Sequence, residues 1–425
     1  MPGATSAGLL PPLPVAAPPP VESKAELPGP SAGPSSGSRQ LAGAITPAPR
    51  VEYLRVLAGF IGLALGDALG VPHEFGKKLP YTGSIQYRYV HKVNAFQPAK
   101  TLGLGQVSDD TEMALTLAQT LVAEQCYDPK RVPEAYIRWA NSGQIMMGTN
   151  TRALLKVNPN TKVDPGGYKH YVKAFTNKFS LYPEEPFKST SAIGEAAQSN
   201  GALMRCFPLA CIWDTNAILQ DVWLTNPSRV ALDAELIQVT CIRMALIGEP
   251  AAKIWTQALS MPTTMEVRAV FEDLLANRGR DLGNYTDENG ERKKVRGWVC
   301  NSFYASMFCL ASLAGPTQPT FTQLMQWVIG ENPGSDTDTN AAIAGGLVGA
   351  ILGWDAMIKD PVTYANIPIL MAGPGETDVP RPTFYTMGGI EAICQGLTAL
   401  SGIQPLAPRG ADAKLRDPKI KLWGR

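Results

Sequence analysis

The fold of this chain follows from GSDTDTNAAIAGGLVGAILG, residues 334–353, which places an acidic turn directly before a long run of small apolar residues. Such a run predicts a buried helix, and Gly345, Gly349 and Gly353 recur every four residues along one of its faces. We expect a second helix to approach closely on that face. Asp336 and Asp338 supply more negative charge than one helix cap needs, so the surplus needs an explanation.

A second acidic helix start lies in QVSDDTEMALTLAQ, residues 106–119. There, Asp109 followed by Glu112 resembles a capping box, in which two side chains satisfy unpaired N–H groups reciprocally. The helix dipole also favours acids at such a position, by about 0.3–1 kcal/mol each. A third acidic segment, GDALGVPHEF, contributes Asp67 and Glu74. Considered one at a time, helix capping explains these acids.

Considered together, the acids favour a metal site. Closely spaced carboxylates repel one another, and a helix dipole does little to relieve that repulsion. An excess of oxygen ligands, completed by Ser and Thr hydroxyls, is what Mg²⁺, Mn²⁺ or Ca²⁺ requires. Two such clusters, far apart in the sequence, can converge on a pair of ions from two helix N-termini. The residues alone leave capping and metal binding both open.

From Val51 onward the pattern indicates an all-α protein. Apolar residues recur at three- and four-residue spacing in segments that often end at Gly or Pro, namely 51–70, 109–127, 128–143 and 231–248. Two stretches break the pattern: 156–190 is predicted to be a long loop, and 278–297 a charged, exposed insertion. We therefore expect one helical domain over residues 51–405 and a short polar tail over 406–425.

Residues 1–50 hold 12 of the 36 prolines, mixed with Ala, Gly and Ser. Such a segment buries too little apolar surface to offset the entropy of ordering it, so we expect a disordered tail. A transit peptide is a weaker alternative, because Glu22 and Glu26 interrupt the segment and arginine is sparse.

The charge balance excludes a strong global field for nucleic acid, because 38 basic side chains face 37 acidic ones. The apolar run at 56–65 is shorter than the roughly 20 residues of a membrane span, so we predict a buried helix there. The seven cysteines include no C-x-x-C pair, which predicts reduced thiols. We expect a cytoplasmic protein without a nucleic-acid or membrane partner.

The motifs together resemble the ADP-ribosylglycohydrolase family, which includes the dinitrogenase reductase-activating glycohydrolase and the ADP-ribosylhydrolases. The matching stretches occur in family order and are GLALGDALGVPHEF, SDDTEMAL, MGTNTRALL, SNGALMRCFPLA and GSDTDTNAAIAGGLVGAILG. The resemblance implies a compact, single-domain orthogonal helical bundle with two Mg²⁺ or Mn²⁺ ions in a cleft. It also implies an enzyme that releases ADP-ribose from an ADP-ribosylated protein or small conjugate. We expect it to be a monomer.

The resemblance also implies roles for individual residues. The implied metal ligands lie at two helix starts and are Ser108, Asp109, Asp110, Asp336, Asp338 and Thr339. The catalytic candidates are Glu74, Asp110 and Asp338, with Glu74 acting as a ligand, a gate or a proton acceptor. The implied substrate contacts come from two segments and are Gly148, Thr149, Ser199, Asn200 and Gly201.

Two positions depart from the family pattern. Arginine-directed members commonly carry an acid where this chain has Met146, and many members carry a histidine where it has Asn226. These departures concern the leaving group more than the metal ligands. They suggest one alternative, a catalytically silent ADP-ribose-binding or structural relative. A weaker alternative is a dimetal hydrolase of another nucleotide-sugar.

Overall fold

The computed structural model of the protein describes residues 50–74, 80–86, 88–90, 100–157, 159–162, 164–184, 197–212, 214–286, 292–294, 297–332 and 334–402. The predicted tails, 1–50 and 406–425, lie outside these ranges except for Arg50. The predicted charged insertion at 278–297 lies partly outside them.

Fourteen α-helices build the described part of the chain, which confirms the all-α prediction. They are α1 (Tyr53–Gly70), α2 (Asp109–Glu124), α3 (Arg131–Ala140), α4 (Thr149–Leu155), α5 (Tyr168–Phe179), α6 (Thr215–Thr225), α7 (Arg229–Leu246), α8 (Ala251–Ser260), α9 (Met265–Leu275), α10 (Val299–Ala314), α11 (Phe321–Met325), α12 (Thr337–Lys359), α13 (Pro361–Ala372) and α14 (Ile390–Leu400). Three small antiparallel hairpins decorate this bundle, pairing β1 (Arg88–Val90) with β2 (Lys100–Leu102), β3 (Asn160–Thr161) with β4 (Asp164–Pro165), and β5 (Asn284–Thr286) with β6 (Arg292–Lys294).

Helices α1 and α12 form the centre of the bundle and pack through glycines, as the sequence predicts for α12. A Cβ atom on Gly345 would overlap the backbone oxygen of Gly62, and one on Gly66 would overlap that of Ala341. Later residues of α1 thus lie against earlier residues of α12, so the two helices are antiparallel. This arrangement brings the end of α1 to the acidic start of α12, where Gly70 lies against Asp338.

Gly353 departs from the predicted packing role. Its φ of 74° interrupts α12 with a kink, which glycine adopts without a steric penalty. The guanidinium of Arg55 on α1 donates to the carbonyls of Ala350 and Ile351, at 3.1 and 2.9 Å. The last glycine of the series therefore ends the straight part of the helix.

Two helical segments of the described chain have the length and hydropathy of membrane spans. They are Tyr53–His73 and Thr337–Lys359, each with a mean hydropathy of 1.7. Of their most apolar windows, 89% and 61% are buried inside the protein. Core helices of soluble proteins pass the same test, and the burial matches the prediction of a buried helix at 56–65.

The glycine packing predicts a large difference between two neighbouring substitutions. Gly345→Ala places a methyl group on the backbone of α1 and should destabilise the protein by about 3 kcal/mol, because an overpacked helix contact must open. Gly346→Ala is the matched control, since its Cβ would lie 3.4 Å from the nearest atom, on Phe207. Urea unfolding of both variants measures the difference, and equal midpoints would contradict this packing.

The segment 156–190 is not one long loop, so that prediction was wrong. It contains the β3–β4 hairpin and α5, whose Tyr171 and Phe175 are fully buried. Asp164 stabilises the start of α5 by accepting from the N–H groups of Lys169 and His170, at 3.1 and 2.9 Å. The prolines and glycines before the helix obscured this short apolar pair, spaced four residues apart.

Candidate functional site

The candidate site lies where the end of α1 meets the starts of α2 and α12. A 3-10 turn, Val71–His73, continues α1 and presents Glu74 at its end. Helix α2 begins at Asp109 with Ser108 as its N-cap, and α12 begins at Thr337 with Asp336 in the N-cap position. Three elements far apart in sequence thus bring their acids to one place.

Asp67 ties the start of α2 to α1. Its carboxylate accepts from the N–H of Ser108 at 3.0 Å and from the N–H and hydroxyl of Thr111 at 3.1 and 2.5 Å. Burial raises the pKa of Asp67 to about 6, and these hydrogen bonds oppose the rise. The sequence motifs alone give this acid no role. In the structure, its hydrogen bonds to Ser108 and Thr111 hold the SDDT turn in place against α1.

Ser108 and Asp110 form a buried pair at this turn. The Ser108 hydroxyl donates to Oδ2 of Asp110 at 2.6 Å and accepts from its backbone N–H at 3.3 Å. The second carboxylate oxygen of Asp110, Oδ1, is buried and has no hydrogen-bond partner in the described part of the chain. A buried carboxylate oxygen without a donor is costly, and a cation would satisfy it.

Asp336 does not cap α12, which corrects the capping interpretation for this stretch. Its side chain accepts no capping hydrogen bond from the backbone N–H groups of the first turn. Instead, its Oδ2 accepts from the amide of Asn200 at 2.8 Å. Thr339 and Asp338 also form side-chain hydrogen bonds with Asp336, which lower its pKa against the effect of burial. The surplus acid of this turn therefore faces the interior of the site.

Glu74, Asp336 and Asp338 each offer a carboxylate oxygen, and these oxygens all lie within 4.8 Å of one another. Asp336 and Asp338 are buried, while Glu74 is half-buried and comes from the end of α1. This spacing suits shared oxygen ligation of a hard divalent cation. The acidic cluster can therefore hold a metal ion.

The electrostatics connect this cluster to the acids of α2. Burial raises the pKa of Asp109 well above its usual value, and the carboxylates of Asp338, Glu74 and Asp67 raise it further. Burial also raises the pKa of Asp110, with added repulsion from Asp67, Asp338 and Asp109. The end of α1 contacts both helix starts, through Gly70 against Asp338 and through Asp67 against Ser108, so the acids of the two starts border one volume. Without a cation, these groups retain protons to a higher pH.

The two predicted substrate segments also reach this volume. The N–H of Gly148 donates to Oδ2 of Asp109 at a long 3.4 Å. The backbone N–H of Asn200 donates to Gly297 at 2.9 Å, and Ser199 forms a β-bridge with Trp298. A Cβ on Gly201 would lie 3.8 Å from the hydroxyl of Ser199. Thr149 is the first residue of α4 and is exposed.

Asn226, one of the two departures, is integrated into the Ser199 segment. Its amide donates to the carbonyl and hydroxyl of Ser199, both at 2.8 Å, and its Oδ1 accepts from Thr225 at 2.7 Å. Thr225 in turn accepts from Arg205, which forms a fully buried pair with Asp221. The substitution therefore preserves an ordered segment beside the acids.

Met146, the other departure, lies among apolar side chains. It and Ile145 pack against a small cluster formed by Val71, Leu102 and Val379. At this position the chain therefore presents a thioether beside aliphatic side chains.

Glu112 has a role that sequence reasoning missed, and the capping-box prediction for it was wrong. Its two carboxylate oxygens accept from Arg381 at 2.7 and 2.8 Å, rather than from the start of α2. The pair is almost completely buried. A fully buried glutamate in an apolar helix signals a distant cationic partner, but the sequence does not identify it.

Comparison with known proteins agrees with the motifs. Residues 49–363 match the family model described as ADP-ribosylglycohydrolase. The ADP-ribosyl-[dinitrogen reductase] glycohydrolase of Rhodospirillum rubrum is 26% identical over 307 residues, covering 71% of this chain and 86% of that protein. An ADP-ribosylarginine hydrolase of Pseudomonas putida is 23% identical over 323 residues, covering 74% of this chain and 75% of its own length. A solved structure described as an ADP-ribosylglycohydrolase-related protein complex superposes with a TM-score of 0.53 at 24% identity, covering 82% of this chain and 98% of that one, which shows a shared fold.

Proposed function

The chain belongs to the ADP-ribosylglycohydrolase family, and we propose that it hydrolyses the glycosidic bond between ADP-ribose and a modified protein side chain or related conjugate. The main support is the cluster of carboxylates formed by Glu74, Asp336 and Asp338, together with the buried Oδ1 of Asp110, which has no hydrogen-bond partner in the described part of the chain. Hard oxygen ligands of this kind suit a reaction in which vicinal ribose hydroxyls must be oriented.

We propose that two divalent cations, Mg²⁺ or Mn²⁺, belong to this site. Two helix starts would hold them through Ser108, Asp109, Asp110, Asp336, Asp338 and Thr339. The donor set fits, because it consists of carboxylates and hydroxyls and lacks the thiolate or imidazole ligands that favour zinc. When bound, such ions supply Lewis-acid orientation of the ribose hydroxyls and of water.

The side chains of this site would then divide the remaining work. Glu74 accepts the proton of the attacking water, since it lies at the accessible edge of the acidic cluster. The Ser199–Gly201 segment, fixed by Asn226 and Gly297, contacts the ADP-ribose. The backbone of Gly148 borders the same volume through its contact with Asp109.

The apolar surroundings of Met146 support a neutral leaving group. A guanidinium is recognised best by a carboxylate in a bidentate pair, and Met146 and its neighbours Ile145 and Val379 offer none. We therefore propose that hydroxyl-linked ADP-ribose is a better substrate than arginine-linked ADP-ribose.

The test is ADP-ribose release from serine-linked and arginine-linked ADP-ribosyl peptides, measured chromatographically with added Mg²⁺ or Mn²⁺. We expect release from the serine-linked peptide, loss of release with EDTA, and recovery after excess metal is restored. No release from either peptide would contradict the proposed function.

Two further measurements distinguish this proposal from a silent binding protein and from a hydrolase of another nucleotide-sugar. Isothermal titration with ADP-ribose that shows binding without any turnover would favour a silent binding protein, which the departures at Met146 and Asn226 suggest. Hydrolysis of ADP-glucose in preference to both peptides would favour a hydrolase of another nucleotide-sugar.

A further inference from the structure

A segment beyond the family match packs against residues that flank the acidic start of α2. The match ends at residue 363, whereas residues 376–381, here called the C-terminal strap, follow α13. The strap pairs with the chain beside β2: the N–H of Asp378 donates to the carbonyl of Thr101 at 2.9 Å, and the N–H of Thr101 donates to the Asp378 carboxylate at 2.7 Å.

The strap also holds the residues that lead into the SDDT turn. The side chain of Gln106, two residues before Ser108, donates to the carbonyl of Val379 at 2.9 Å. Its Oε1 accepts from the hydroxyl of Thr377 at 2.7 Å. Gln106 is buried, so these bonds are shielded from competing water.

Arg381, at the end of the strap, forms a buried ion pair with Glu112. Its guanidinium donates through two nitrogens to the two oxygens of Glu112, and it also donates to the carbonyl and hydroxyl of Ser142, both at 2.9 Å. Side-chain exposures of 1% for Arg381 and 0% for Glu112 place this fork away from solvent. A bidentate pair of this kind fixes geometry as well as charge.

Glu112 is connected to the loop at 145–148 by further hydrogen bonds through Gln144. Its Oε2 also accepts from Nε2 of Gln144 at 2.8 Å. Oε1 of the same Gln144 accepts from the backbone N–H groups of Ile145 and Met146, at 2.8 and 2.9 Å. The loop then reaches Gly148, whose N–H contacts Asp109.

We propose that Arg381 is a positioning residue for the reaction: acting through Glu112 and Gln144, it holds the 145–148 loop against the acidic cluster in a substrate-binding geometry. A second contact supports the same loop, because Val379 of the strap packs with Ile145 and Met146. The role in turnover rests on the proposed function, whereas the control of loop order does not.

Arg381→Lys tests this, since lysine keeps the charge but cannot form the fork. We expect KM for the conjugate to rise about tenfold with kcat changed less than about threefold, because a displaced loop weakens substrate positioning. We also expect hydrogen exchange at the amides of Ile145 and Met146 to accelerate at least about tenfold. Gln144→Met, which leaves the Arg381–Glu112 pair intact, should reproduce both effects.

Arg55→Lys is the matched control, because Arg55 also joins distant elements but at the far end of α12. It should lower Tm without changing KM or loop exchange. If Arg381→Lys and Gln144→Met lower only Tm, the positioning role is overturned. If the wild-type protein has no turnover, the proposed function fails, yet loop exchange in the two variants still supports or overturns control of the loop.

Discussion

Asp338→Asn is expected to lower kcat/KM for ADP-ribose release by about 10³-fold, which corresponds to about 4 kcal/mol of transition-state stabilisation. Asp338 is the acid shared by both halves of the site: it lies within the Glu74–Asp336 cluster and raises the pKa of both Asp109 and Asp110. Removing its charge should therefore weaken the proposed metal ligation by both helix starts. Titration with Mn²⁺, followed by calorimetry alongside the activity assay, should show a matching loss of metal affinity.

The same substitution should stabilise the metal-free protein, because it removes a carboxylate from a cluster of buried acids that repel one another. The asparagine side chain introduced there can keep the local hydrogen bond, since Oδ1 of Asp338 accepts from the N–H of Thr339 at 2.9 Å and an amide oxygen accepts equally. We expect Tm in EDTA to rise by about 3 °C.

Asp355→Asn is the control for both readouts, since Asp355 is an exposed acid on the same helix. Its activity and its Tm in EDTA should match those of the wild-type protein. If the Asp338→Asn variant retained full activity, the proposal that the turn at Asp336–Thr339 binds the metal would be contradicted. A Tm that fell in EDTA would mean that the carboxylate stabilises the fold rather than opposing it.

The helical class and the location of the acids could be predicted from the sequence because both depend on local patterns. Spacing of apolar residues predicted α1, a run of small apolar residues predicted α12, and the four-residue glycine spacing predicted the packing face at Gly345 and Gly349. The surplus of acid at Asp336 and Asp338 was visible because a cap needs only one acceptor.

The partners of those acids could not be predicted, because they depend on contacts between distant parts of the chain. Glu112 has the local spacing of a capping box, yet Arg381, 269 residues away, takes both of its oxygens. Asp336 has the position of a cap, yet Asn200 donates to it. In both cases the donor comes from a distant part of the chain, which the local sequence does not identify.

Glu74→Gln is expected to lower kcat by about 10²–10³-fold while leaving ADP-ribose affinity within a few-fold, because glutamine keeps the volume of the side chain but cannot accept a proton from water. Glu74 is suited to that role by its half-buried position at the edge of the acidic cluster, whereas Asp336 and Asp338 are buried within it. Stopped assays at saturating conjugate give kcat, and calorimetry gives the affinity for ADP-ribose.

Metal titration of the same variant distinguishes a proton acceptor from a ligand. If Glu74 accepts the proton, Mn²⁺ affinity should change only slightly while kcat falls. A loss of Mn²⁺ affinity as large as that of Asp338→Asn would instead assign Glu74 to metal binding. Glu272→Gln, an exposed glutamate on α9, serves as the control, and any loss of activity in it would show that the assay responds to surface charge rather than to the site.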